Sequence, residues 1–211
     1  MSTKEKISVC IVDNDTVAYR VFEELFKDNK NYDMSIIKAK GNDSSTIERS
    51  REEDKAYIID ELAQKSFQIL ILDLLLRDRV TIDREEVTGT ELSGIENVLS
   101  LEIALQMKKN PDKKDFLPIF ISSSKICKTH QQFEAIRNKY SDKVPEDAVF
   151  IFKPTQGFDE SFFQNCPIDT GTNMPACNRK KRNQKGCPVK QCFFELLNKY
   201  YKEYTEKLNN E

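Results

Sequence analysis

Four polar residues, each directly after a hydrophobic run, could together bind a divalent cation and a phosphoryl group. Asp13 follows ISVCIV and Asp73 follows FQILIL, while Ser123 and Lys153 follow PIFIS and AVFIF. Carboxylates are ligands for hard cations, and a hydroxyl and an ammonium can bind phosphoryl oxygens. The four side chains converge only if the runs are parallel strands, whose carboxyl ends meet at one edge of a sheet. The pattern therefore predicts a metal and phosphoryl site at that edge.

Short hydrophobic runs alternate with stretches of helical periodicity along most of the chain. Five runs are predicted to be strands, at residues 7–12, 34–37, 67–72, 117–122 and 148–152. Asp15 is predicted to cap the first helix, which is expected to bury one apolar stripe, namely Val17, Val21, Phe22, Leu25 and Phe26. This alternation predicts an α/β protein with a doubly wound, five-stranded parallel sheet and helices on both faces.

The composition indicates one domain with a strongly ionic surface. The chain has 211 residues, of which 32% are charged, and a mean hydropathy of −0.61. We expect a single domain over residues 1–211, with insertions at about 77–90 and 155–186 and a final helix at about 188–209. The net charge of −2 argues neither for nor against nucleic acid. No apolar run approaches the ~18 residues of a membrane span, so a cytoplasmic location without membrane contact is expected.

Four segments carry a resemblance to a known family. They are IVDND at 11–15, ILILDLLL at 69–76, PIFISSSK at 118–125 and FIFKP at 150–154. In order and spacing they resemble the receiver domain of two-component response regulators, over residue 6 to about 155 plus the final helix. The resemblance implies a flavodoxin-like fold with strand order 2-1-3-4-5 and a role in phosphorelay signal transduction.

The resemblance also implies the chemistry of the site. Asp73 would be the phospho-acceptor, whose carboxylate becomes an acyl phosphate. The cofactor would be Mg²⁺, bound by Asp13, Asn14, Asp73 and the backbone carbonyl of Leu75. The protein would not be an enzyme beyond accepting its own phosphoryl group.

Three further residues would bind the phosphoryl group or report its presence. Lys153 and Ser123 would each bind a phosphoryl oxygen, and Ser123 and Phe150 would move as a switch that reshapes the surface. The implied partners are a histidine kinase or phosphotransfer protein upstream and a protein partner downstream.

Two departures from the family pattern favour an alternative function. Asn14 stands where receivers usually carry a second acid, and Arg77 replaces the usual proline four residues after the phospho-acceptor. Asn14 supplies an oxygen ligand without charge, which predicts weaker Mg²⁺ binding. The alternative is a pseudo-receiver, an interaction module that binds its partners without phosphorylation.

The segment from Asp13 to Val17 also resembles the first motif of haloacid-dehalogenase-type phosphatases. In that case Asp13 would be the nucleophile and Asp15 the acid and base. Those enzymes need a later acidic pair at a strand end, but Asp159 and Glu160 follow no strand pattern. Asp73 would also have no role, so this function ranks behind the other two.

A cysteine-containing segment precedes the final helix. Without a secretion signal its cysteines are expected to be thiols or metal ligands rather than disulfides. They form a candidate structural Zn²⁺ site, although their spacing is not that of paired zinc knuckles, and reduced thiols on a loop are the alternative. The candidate ligands are Cys166, Cys177, Cys187 and Cys192, and Cys127 or His130 could replace one of them.

A basic run lies in the same segment, at residues 179–182 and Lys185. It could contact nucleic acid or an acidic partner. Because no aromatic residues are interleaved to stack on bases, a solvated loop is the expected explanation and nucleic acid is not an expected partner.

Overall fold

The computed structural model describes residues 5–39, 50–74, 76, 98–122, 130–152 and 189–210. Strands and helices alternate through these residues. The strands are β1 (Ile7–Asp13), β2 (Tyr32–Lys38), β3 (Ile69–Asp73), β4 (Leu117–Ser122) and β5 (Val149–Phe152). The helices are α1 (Thr16–Phe26), α2 (Arg51–Ala63), α3 (Leu99–Lys108), α4 (His130–Lys139) and α5 (Val189–Leu208).

The five strands form one sheet in the order β2-β1-β3-β4-β5, and every neighbouring pair is parallel. A parallel pair needs a crossover connection between its strands. Helices α1 to α4 lie in these crossovers, and α5 follows the last strand. The strand order confirms the predicted doubly wound, flavodoxin-like α/β fold.

The helices cover both faces of the sheet, as predicted. Alternate residues of each strand point to opposite faces, so each strand contributes to two separate cores. On one face α1 and α5 pack on residues that include Val9, Ile11, Ile71, Ile119 and Ile151. On the other face α2, α3 and α4 pack on Cys10, Val12, Leu70, Leu72 and Phe120.

The first helix begins where predicted, and its buried stripe includes Phe22, Leu25 and Phe26 as predicted but not Val17. Asp15 is its N-cap, and the carboxylate accepts a hydrogen bond from the backbone N–H of Val17 at 2.8 Å. The buried residues are Ala18, Tyr19, Phe22, Leu25 and Phe26, whereas Val17 is 60% exposed. The inclusion of Val17 was wrong because successive helical residues are about 100° apart, which places Val17 about 200° from Tyr19.

Aromatic rings fix α5 against α1 and the start of β2. The Phe26 ring lies 5.9, 6.1 and 5.0 Å from those of Tyr32, Phe193 and Phe194. Tyr32 also stacks on Phe194 at 5.2 Å, and its hydroxyl donates to Oδ1 of Asn198 at 2.7 Å. Burial raises the pKa of Tyr32 to about 12, so this phenol stays a donor. The final helix therefore has its own specific contacts with the sheet layer.

Lys108, the last residue of α3, links both helical layers at the amino edge of the sheet. Its ammonium donates to the Phe116 carbonyl at 2.6 Å and to Asp147 Oδ2 at 2.5 Å. Phe116 directly precedes β4, and Asp147 lies just before β5. The ammonium also lies 4.6 Å from the ring centroid of Phe116 and 5.1 Å from that of Tyr204 in α5. One cation therefore joins α3, α5 and the starts of two strands.

None of the helices in the described ranges is long and apolar enough to cross a membrane. The predicted insertions at 77–90 and 155–186 lie outside the described residues.

Candidate functional site

Asp13 and Asp73 lie side by side at the carboxyl edge of the sheet. Each is the last residue of its strand, and β1 and β3 are neighbours. Val12 pairs with Leu72, so the next row of the ladder holds Asp13 and Asp73. Residues two positions earlier, Ile11 and Ile71, belong to the core under α1 and α5, so both carboxylates point to that face. Asp13 is fully buried and Asp73 is 7% exposed.

The turn from β1 into α1 is organised around Asp13. Its Oδ1 accepts a hydrogen bond from the backbone N–H of Asp15 at 2.9 Å. Its carbonyl accepts from the Tyr19 hydroxyl at 2.7 Å and from the N–H of Ala39 at 2.8 Å. Asn14, which lies between Asp13 and Asp15 in the sequence, is half-buried. These bonds hold the Asp13 backbone and carboxylate in one orientation.

The backbone after Asp73 is fixed from two sides. The N–H of Leu74 donates to the carbonyl of Ile121 in β4 at 2.7 Å. The Ser100 hydroxyl, fully buried in α3, donates to the Leu74 carbonyl at 3.1 Å. Leu75, the predicted carbonyl ligand, is outside the described residues. Ser100 therefore positions the segment that leads from Asp73 towards Leu75.

Tyr19 on α1 lies in the negative field of the site. Its burial, and then the charges of Asp13, Asp15 and Asp73, raise its pKa well above the ordinary value for tyrosine. The phenol is therefore neutral and can serve as a hydrogen-bond donor. The Lys38 ammonium lies 5.3 Å from the centroid of the Tyr19 ring. The charges of three carboxylates thus act on this phenol, and one ammonium lies near its ring.

The predicted phosphoryl-binding residues fall just beyond the described strands. β4 ends at the fully buried Ser122, whose neighbour in the ladder is Phe152, the last residue of β5. Ser123 and Lys153 come next in the sequence and lie outside the described residues, so their places in the site stay predictions.

Phe150, the predicted switch residue, is buried on the other face of the sheet. Its ring lies 5.1 Å from that of Phe120 and 5.7 Å from that of Phe133. The Arg137 guanidinium lies 5.5 Å from the ring centroid and donates to the Ala148 carbonyl at 2.7 Å. In this structure the ring therefore points inward, and its role as a switch stays a prediction.

The two strand-end carboxylates fit a hard divalent cation such as Mg²⁺. This ion is usually bound by one or two carboxylates, with water and substrate oxygens filling its octahedral shell. Asp13 and Asp73 provide oxygen donors from adjacent strands, and the Asn14 amide could add a third. Within the described ranges no group of three or more His, Cys, Asp or Glu residues could hold a metal ion. A cation here would consequently depend on few protein ligands.

The structure does not place the side chains of the candidate zinc ligands, so the zinc site stays a prediction. Cys127, Cys166, Cys177 and Cys187 lie outside the described residues. Cys192 belongs to α5 and His130 opens α4, but their side chains are not among those described.

Three residues around the site were not identified from the sequence: Tyr19, Lys38 and Ser100. Ser100 had a recognisable signal, since it interrupts an apolar stretch, Val98 to Leu101, where a buried hydroxyl needs a partner. Lys38 had none, because its place beside Asp13 depends on the pairing of β1 with β2.

No family model matches the chain, and no curated protein matches it. Among solved structures, the chain is similar to one from the co-crystal of the Saccharomyces cerevisiae histidine phosphotransfer signaling protein Ypd1 and the receiver domain of its downstream response regulator Ssk1. The match has 12% identity and a TM-score of 0.37, and it covers 76% of this chain and 90% of the other. Because both values are low, the assignment of a flavodoxin-like fold depends on the strand order and not on this neighbour.

Proposed function

We propose that the protein is a phospho-acceptor switch of the response-regulator type, phosphorylated on Asp73 with Mg²⁺. The observation that carries the proposal is the buried pair Asp13 and Asp73, at the ends of adjacent parallel strands and on one face of the sheet. Two adjacent buried carboxylates repel each other, and a site of this kind is typically retained to bind a cation or react.

The reaction would begin with attack of an Asp73 carboxylate oxygen on the phosphorus of a phosphohistidine or acetyl phosphate. A bond forms between that oxygen and phosphorus while the bond from phosphorus to the leaving group breaks. The leaving imidazole or acetate keeps the electron pair, and the imidazole takes a proton from solvent. The product is an acyl phosphate on Asp73. Mg²⁺, when bound, supplies the positive charge that lets two anions approach.

The residues of the chain have distinct roles in this proposal. Asp13, with Asn14 and the Leu75 carbonyl, would hold the cation beside Asp73. Tyr19 keeps Asp13 oriented through its backbone carbonyl. Lys153 and Ser123 would bind phosphoryl oxygens. Ser123 and Phe150 would then move in response to phosphorylation.

The partners proposed are a histidine kinase or phosphotransfer protein that donates the phosphoryl group and a protein that recognises the phosphorylated state. A cytoplasmic location belongs to the same proposal. These assignments are supported by the sequence resemblance and the strand-end carboxylates, and a structural Zn²⁺ bound by the four cysteines is a separate proposal.

Treatment with acetyl phosphate and Mg²⁺, followed by intact-mass measurement, tests the function. We expect one added phosphoryl group on the wild type and none on Asp73→Asn. Labelling that survives Asp73→Asn but is lost in Asp13→Asn would identify Asp13 as the nucleophile, as in the phosphatase alternative. A folded wild type that takes no label with any donor would favour the pseudo-receiver alternative and overturn the proposal.

Metal analysis of Cys166→Ser tests the separate zinc proposal. Zinc binding is excluded if the metal content and stability of this variant equal those of the wild type.

A further inference from the structure

We propose that Lys38 is a second basic residue of this site, which weakens binding of free Mg²⁺ and favours the anionic phosphoryl group. The proposal rests on the proposed function, because it assigns Lys38 a part in the same Asp13 and Asp73 site. Lys38 would not react itself, and its positive charge would change how strongly the site binds Mg²⁺ and the phosphoryl group.

The position of Lys38 follows from the sheet. It is the last residue of β2 and pairs directly with Asp13 in the parallel register. Asp13 therefore has Lys38 on one side and Asp73 on the other, with neighbouring strands about 4.8 Å apart. Met34 and Ile36, at alternate positions before Lys38, pack on the core under α1 and α5. By this alternation Lys38 shares its face with both carboxylates.

Tyr19 keeps the Lys38 ammonium near the site. The ammonium lies 5.3 Å from the centroid of the Tyr19 ring, within the range of a cation–π contact. The Tyr19 hydroxyl is in turn bonded to the carbonyl of Asp13 at 2.7 Å. One ring therefore contacts both the cation and the backbone that carries the acid. Lys38 itself is exposed, so an incoming anion can reach it.

The charge of Lys38 acts on the site over a distance. Within the described part of the chain Lys38 makes no ion pair at 4.0 Å or less. Its ammonium nevertheless lies 5.3 Å from the centroid of the Tyr19 ring, whose hydroxyl is bonded to the Asp13 carbonyl. A cation in this place opposes the entry of Mg²⁺ and attracts a phosphoryl group. Since Lys38 faces solvent, the effect should be modest and should weaken as salt is added.

Calorimetric Mg²⁺ titration of the whole chain at low ionic strength tests the proposal. We expect Lys38→Gln to tighten Mg²⁺ binding about 2- to 5-fold, and Lys38→Arg to leave it near the wild-type value. Phosphorylation of Lys38→Gln by acetyl phosphate at saturating Mg²⁺ should slow by a similar factor. The difference in Mg²⁺ affinity should shrink towards none at about 1 M salt.

Lys27→Gln is the matched control. Lys27 caps the opposite end of α1, is exposed and pairs with Glu24, so this variant has the same change in net charge far from the site. Thermal unfolding of each variant shows that it is folded. Equal Mg²⁺ affinities of Lys38→Gln and Lys27→Gln would overturn the role of Lys38 while the proposed function stands.

The remaining outcomes separate the two proposals. If neither the wild type nor Lys38→Gln binds Mg²⁺ or takes a phosphoryl group, both the proposed function and the role of Lys38 are overturned. If only Lys38→Gln binds Mg²⁺, Lys38 is shown to suppress binding in the wild type.

Discussion

The two edges of the sheet arrange their charged side chains in opposite ways. At the amino edge the Lys108 ammonium meets a carboxylate, a backbone carbonyl and two aromatic rings. At the carboxyl edge Asp13 and Asp73 lie next to each other, and their charges add to the effect of burial in raising the pKa of Tyr19. Complementary charges stabilise the folded chain, whereas adjacent like charges repel each other and favour the binding of a cation. The amino edge is therefore expected to serve stability and the carboxyl edge to serve function.

The largest effect on stability is expected at the amino edge. Lys108→Met would leave Asp147 and the Phe116 carbonyl without their shared donor, and we expect unfolding to become easier by about 2 to 3 kcal/mol. Urea denaturation measures this, with Lys109→Met as the exposed neighbouring control. Equal stabilities of the two variants would show that the Lys108 contacts contribute nothing net.

Ser100→Ala should have the next largest effect. It removes the donor to the buried Leu74 carbonyl and should cost about 1 to 2 kcal/mol, because a buried acceptor loses its partner. The exposed Ser66→Ala is the control, with an expected change within about 0.5 kcal/mol. If Ser100 positions the segment after Asp73, Ser100→Ala should also weaken Mg²⁺ binding, which a purely stabilising role would not.

An ion pair network on α2 and α3 predicts a pH dependence. Burial acts to raise the pKa of Glu102, but hydrogen bonds and charges from Arg51 and Lys55 outweigh it, so the pKa lies below its ordinary value. A lowered folded-state pKa gives stability that is present above the unfolded pKa and lost as pH falls through the folded one. Glu102→Gln should therefore cost about 1 kcal/mol at pH 7 and nothing at the acid end.

Denaturant unfolding from pH 7 down to pH 3 measures the Glu102 effect. Glu206→Gln, which removes an exposed pair with Lys202, serves as the control and should cost little at any pH. A constant difference between wild type and Glu102→Gln across this range would contradict the assignment.

Asp13→Asn should cause the smallest loss of stability, or none. Asn keeps the Oδ1 acceptor for the Asp15 N–H and removes one of two adjacent negative charges. Without Mg²⁺ the variant should unfold at or above the wild-type temperature, and the rise produced by added Mg²⁺ should disappear. Asp28→Asn, at an exposed position, is the control. A marked loss for Asp13→Asn alone would show that the carboxyl edge is structural and would end the contrast between the edges.

The sequence was sufficient for the sheet and for the acidic pair. Strand lengths, their apolar character and the cap at Asp15 are local properties, and the order of strand ends along the chain indicated which carboxylates meet. The strand predicted at 117–122 coincides with β4, Leu117–Ser122. Parallel order is the one long-range feature that followed, because strands that alternate with helices are joined by crossovers and therefore run parallel.

The roles of Lys38 and Tyr19 could not be predicted from the sequence, because they depend on packing. The place of Lys38 beside Asp13 depends on the register of β2 against β1, and that of Tyr19 depends on how α1 packs beside the end of β1. Val17 was assigned to the core because it is apolar, although its place in the first turn directs it to solvent. Each error concerns an orientation that packing, and not local composition, decides.

The aromatic contacts of α5 explain why the chain tolerates a long connection. The rings of Phe193 and Phe194 pack on Phe26 and Tyr32, so side chains of α5 determine where this helix packs. Residues 153–188 separate α5 from β5 in the sequence. For a connection between two packed elements, doubling the number of residues costs only about 0.6 kcal/mol of closure entropy. The position before α5 is thus a place where sequence can be inserted, lengthened or replaced at little cost to the fold.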